Sequence, residues 1–99
     1  MNIGKMMKDL QKMQGKLQEE IEALEVEGTA GGGVVTVRMN GEKEVLSLEL
    51  SPEAVTPDDT ELMGDLIVAA VNDAGRKVDD EVGRLTQGMT AGLKIPGMS

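Results

Sequence analysis

An α+β chain of order α-β-β-β-α, with a three-stranded antiparallel meander and two long helices, follows from two features of the sequence. The apolar spacing of the 99 residues switches from three-and-four to two and back again. A glycine-rich run and an Asn-Gly pair then cut the middle stretch into three short segments. A chain of this length makes one domain, expected over residues 1–90 with a mobile tail at 91–99.

The first helix is expected over residues 3–22. Ile3, Met6, Leu10, Met13, Leu17 and Ile21 recur as a heptad-like seam on one side. Lys5, Lys8, Lys12 and Lys16 fall in a narrow stripe on nearly the opposite side. An apolar seam requires a partner, so it packs on the second helix or forms a dimer core. An open groove for a foreign helix is the lesser alternative, because a monomer exposing that stripe would aggregate.

From Leu24 the period is two, and strands are expected at residues 24–29, 34–40 and 43–50. Val35, Val37 and Met39 point inward, with Thr36 and Arg38 outward. Asn40-Gly41 predicts a two-residue type I′ turn, since both residues tolerate positive φ. Leu46, Leu48 and Leu50 are then inward, and Val45, Ser47 and Glu49 outward.

The second helix is expected over 57–87, with Thr56 as N-cap, Pro57 at the first helical position and Asp58 and Asp59 at the positive end. Leu66 to Val71 is apolar all round, so it needs cover on more than one side: the sheet, and helix 1 or a second subunit. Beyond it the stripe narrows to Val71, Ala74, Val78, Val82, Leu85 and Met89, which projects past the sheet. Gly88 to Ser99 is expected to leave the helix.

The residue inventory limits the chemistry. There is no Cys, His, Phe, Tyr or Trp, hence no disulfide, no thiolate metal site and a thin core of Val, Leu, Ile, Met and Ala. A second subunit is the simplest way to bury more. Ser47, Ser51 and Ser99 lie in no nucleophile-elbow context. The pairs Asp58/Asp59 and Asp79/Asp80 diverge by about 100° on a helix and share no site. Gly31-Gly32-Gly33 precedes a strand rather than a helix and lacks a lysine, which makes it a turn and not a phosphate cradle. No catalysis, cofactor, metal or small-molecule substrate is expected. The longest apolar run is too short to span a bilayer and no signal peptide is legible, so the expected location is the cytoplasm, without a membrane partner.

The formal net charge is −8, but residues 1–17 carry a local +3, leaving −11 for the rest. Lys5, Lys8, Lys12 and Lys16 have only Asp9 among them, so they are the leading binding candidates. Arg76, Lys77 and Arg84 are secondary, because Asp73–Lys77 and Asp80–Arg84 are i, i+4 pairs in the favourable orientation. Arg38, among Glu25, Glu27 and Glu49, is expected to pair across strands.

A wider pattern then emerges. Leu10-Gln11-Lys12-Met13-Gln14 and Leu17-Gln18-Glu19-Glu20-Ile21 are followed by Val26-Glu27-Gly28 and Gly31-Gly32-Gly33-Val34-Val35-Thr36-Val37. Next come Asn40-Gly41, the segment Asp65-Leu66-Ile67-Val68-Ala69-Ala70-Val71-Asn72-Asp73-Ala74, and Gly88-Met89. In order and spacing these resemble the YbaB/EbfC family of bacterial nucleoid-associated proteins. The resemblance implies a tweezers-like homodimer whose helices project from a shared β body and grip duplex DNA. It also implies a place in the nucleoid and a role in chromosome organisation or gene regulation. With no recognised reading helix, mainly backbone contact and weak sequence preference are expected. The alternative is a dimeric module that docks on replication or recombination proteins with little DNA affinity.

Overall fold

The structure, a computed structural model, describes residues 2–55 and 57–91. Helix α1 spans Ile3–Glu22, strands β1, β2 and β3 span Glu25–Ala30, Val35–Asn40 and Val45–Leu50, and helix α2 spans Thr60–Ala91. The sheet order is β1-β2-β3, antiparallel throughout. The fold class is the expected one.

Helix α1 starts where it does because the Asn2 side chain accepts the Lys5 amide at 3.2 Å, closing one of the free N–H groups of the first turn. It ends at Ala23, whose amide still reaches the Glu19 carbonyl before the chain turns into β1. The β1–β2 connection then uses Gly31, Gly32 and Gly33 at φ 64°, 74° and 97°, three successive left-handed residues that side chains would strain.

The second turn differs from expectation. Neither Asn40 nor Gly41 has positive φ; Lys43 does, at 64°. The Lys43 amide donates to the Asn40 carbonyl at 3.0 Å, and the Asn40 amide donates to the Glu44 carbonyl at 3.1 Å. Gly41, Glu42 and Lys43 thus form a three-residue loop closed by a left-handed residue, not a type I′ turn. Two causes favour it. The Asn40 side-chain oxygen accepts both the Glu42 and Glu44 amides. Gly41 lies against the Ile21 carbonyl, where a Cβ has no room. The Asn-Gly pair is used for close approach rather than for its φ angles.

The longer loop delays β3 to Val45 and adds a bulge: Arg38 faces Ser47, but Met39 faces Val45. Val45 therefore shares the side of Met39, and the strict alternation expected at 45 and 46 is lost. After β3 a single 3-10 turn, Pro52–Ala54, buries Ala54.

Helix α2 begins three residues later than expected. Asp59 accepts the Leu62 amide at 3.0 Å and caps the helix, so Pro57 lies in the preceding turn. The expected cap, Thr56, falls outside the described residues. Gly88 to Ala91 continue the helix instead of leaving it, and the rest of the tail expected at 91–99, residues 92–99, is also outside the described residues.

The core lies between α2 and the sheet. Val35, Val37 and Met39 of β2 meet Ala70, Ala74 and Val78 of α2, with Ala54 closing one end. Alanines let the helix approach closely, and Gly28 completes the fit: a Cβ there would collide with the Ala70 carbonyl, the Ala74 amide nitrogen and the Ala74 Cβ. α2 lies over β1 and β2. It leaves the β3 end of the sheet uncovered, so Leu46, Leu48 and Leu50, expected inside, are exposed. Val68 and Ala69 of the all-apolar stretch are exposed as well; their second cover is not supplied by the described residues.

Candidate nucleic-acid interface

The four α1 lysines are all exposed, and among the described residues none takes part in an ion pair. α1 projects with Asn2 to Lys12 exposed on every side; Met13, Leu17 and Ile21 are half-buried where the helix runs against α2. The seam expected from the spacing is therefore split. Its lower half packs within the chain, and Ile3, Met6 and Leu10 are open.

The charges along α1 run against the preference of a helix. Its first turn holds no acid and its last turn no base; Lys5 and Lys8 sit near the positive end, and Glu19, Glu20 and Glu22 near the negative end. Each such placement is unfavourable for the isolated helix by a few tenths of a kcal/mol. The arrangement instead adds the helix dipole to the lysines at one tip, concentrating positive potential there. This signal was present in the sequence, in the order of charges along the helix rather than around it.

The secondary cations behave differently. Lys77 donates to the Glu27 carbonyl at 2.7 Å and pairs with Asp73 at 3.2 Å. Asp73 in turn accepts the Thr29 amide at 2.9 Å. Thr29 and Glu27 lie on the edge of β1 that no strand pairs, so α2 caps this edge with two side chains. The Thr29 amide first, and then Lys77 with Arg76 nearby, hold the Asp73 carboxyl below its ordinary value of 3.8. Arg84 pairs with Glu81 at 2.7 Å, not with Asp80 as expected. Arg76 reaches Asp73 only at 3.8 Å and is mostly exposed. Sequence spacing missed the latch between Asp73, Lys77 and β1, because it joins residues more than forty positions apart.

Arg38 pairs with Glu25 at 3.0 Å across the outer face of the sheet, as expected. Lys43 reaches Asp79 at 2.8 Å and ties the β2–β3 turn to α2. Beside that pair an open cleft of about 400 Å³ is lined by Met39, Val71, Asn72, Gly75 and Arg76. The described residues contain no group of acidic side chains able to hold a metal ion, and no described helix is long and apolar enough to cross a membrane.

The chain thus sets a helix with four exposed, unpaired lysines on an otherwise acidic body. The comparisons give the chain its family. The model of the YbaB/EbfC DNA-binding family matches residues 1–93, and the chain belongs to that family. Relatives named nucleoid-associated protein include one from Alkaliphilus metalliredigens, 47% identical over 98% of this chain and 88% of its own length. Another, from Deinococcus radiodurans, is 49% identical over 98% of this chain and 99% of its own. An uncharacterized protein from Helicobacter pylori, known from its crystal structure, superposes with a TM-score of 0.73 at 25% identity. The match covers 91% of this chain and 98% of that one.

Proposed function

We propose that the protein is a nucleoid-associated protein of the bacterial cytoplasm that binds duplex DNA as a homodimer, with roles in chromosome organisation or gene regulation. The observation that carries this reading is the α1 stripe: four exposed lysines without ion-pair partners among the described residues, two of them, Lys5 and Lys8, near the positive end of the helix, in a chain of a DNA-binding family. Lys5, Lys8, Lys12 and Lys16 contact phosphates, with Arg76 and Arg84 adding weaker contacts along α2. Lys77 serves the β1 edge first. A lysine stripe without stacking aromatics favours backbone contact and weak sequence preference.

The dimer reading rests on the other end of the sheet. Val45, Leu46, Leu48, Leu50, Val55, Leu62 and Val68 are all at least 37% exposed, beside a strand whose outer edge has no pairing strand among the described residues. An apolar face next to an open edge is a surface that a second copy covers well. The acidic remainder of each copy repels phosphate and leaves the α1 arms as the place where DNA is held.

Binding through about four phosphates predicts a slope of roughly −4 in log affinity against log salt. Anisotropy titrations on duplex DNA measure it. Replacing all four lysines with Gln should flatten the slope and abolish binding at physiological salt while the dimer persists. Unchanged affinity in that variant would clear the lysines. The absence of any shift for the parent at micromolar dimer would favour a protein-docking module instead.

A further inference from the structure

Ile3, Met6, Met7 and Leu10 are 69%, 53%, 59% and 45% exposed, an apolar patch at the very part of α1 that carries the lysines on its other side. We infer that this patch joins neighbouring DNA-bound copies, α1 against α1 in antiparallel fashion, so that binding along a long duplex is cooperative. The inference rests on the DNA-binding reading above and extends it to how copies assemble.

Three observations select a second copy as the occupant. The patch continues the seam of Met13, Leu17 and Ile21, which is already half-buried along a helix, so its spacing suits another helix. It is also self-complementary. A two-fold axis between Met6 and Met7 sets Ile3 against Leu10 of the second copy and Met6 against its Met7, which makes an isologous contact from one surface. Methionine adapts to such a pairing better than branched side chains do.

Size and charge explain why DNA is needed. Four side chains offer at most about 500 Å² per copy, short of the ~800 Å² per partner typical of a stable complex. Each arm also carries a local charge of +3, so two arms laid side by side are disfavoured while the lysines are unneutralised. Free copies repel at the tips. Phosphates neutralise those lysines and raise the local concentration, so a weak contact becomes effective. The lysine stripe lies roughly 140° around the helix from the seam, which leaves the patch open while DNA is held.

The test compares a short duplex that holds one dimer with a duplex several times longer, for the intact protein and for the variant Ile3→Ser, Met6→Gln, Met7→Gln, Leu10→Ser. The expected result is unchanged affinity on the short duplex, with affinity for the long duplex falling about tenfold and its Hill coefficient dropping to about 1. Met6→Leu with Met7→Leu, which keeps the patch apolar, should retain the cooperativity. Non-cooperative binding by the parent, or full cooperativity in the polar variant, overturns the inference. So does loss of the free dimer, which would make the patch the dimer seam. Weaker binding to the short duplex also overturns it, since the patch would then touch DNA or be covered by its own chain. Circular dichroism checks that α1 stays helical, and Met6→Gln with Met7→Gln is the milder variant if it does not. Failure of the parent to bind either duplex defeats the DNA reading itself and is distinct from all of these.

Discussion

The two edges of the sheet solve one problem in opposite ways. At β1, α2 approaches so closely that only glycine fits at position 28, and Asp73 and Lys77 satisfy the free edge at Thr29 and Glu27. At β3 the same helix gives no cover, and Leu46, Leu48 and Leu50 face solvent. One edge is closed by the chain itself. The other is left open by the described residues, and it is the surface on which the proposed dimer rests.

The contrast can be broken most severely at the closed edge. Gly28→Ala places a methyl group against backbone atoms of Ala70 and Ala74 that cannot rotate aside, so the helix must lift from the sheet. A loss of about 3 kcal/mol or more is expected, read as a drop in the denaturant midpoint. Little or no change would mean that α2 is loosely seated. At the open edge, Leu48→Glu should leave the secondary structure intact but weaken self-association about a hundredfold, the cost of a charge in the middle of an apolar contact. Sedimentation velocity across a dilution series measures it; an unaltered dimer would remove β3 from the interface.

The smallest expected effect sharpens the role of Asp73. Its carboxyl is held below the ordinary value in the folded protein, so its contribution to stability is present above that value, 3.8, and lost as pH falls through the lower folded value. Asp73→Asn should therefore be less stable than the parent at neutral pH, with the gap closing as acid is added below about pH 4. A gap that is constant from about pH 7 to about pH 3 would show that the carboxylate charge is irrelevant there.

Periodicity made the fold legible, and it failed where a contact between distant residues decided the outcome. The helix over 3–22 and the inward run of Val35, Val37 and Met39 depend on neighbours in sequence and emerge as expected. The Asn40-Gly41 turn looked settled by local chemistry. It was redirected by the Ile21 carbonyl and by the Asn40 side chain, and the resulting bulge shifted the pairing of Val45. Helix α2 starts at the Asp59 cap and not at Pro57, because the Asp59 carboxylate reaches the Leu62 amide. The α1 lysine stripe was visible from angular spacing alone. That α1 stands clear of the body through Lys12 was not, since periodicity says which face is apolar and not how far a neighbour extends along it.

The order of charges along α1 has a last consequence. A first turn without an acid of its own lacks the anion that would settle its exposed amides. If DNA docks there as proposed, its phosphates would supply that missing anion beside the Asn2 cap, and helicity of the first turn should rise on loading.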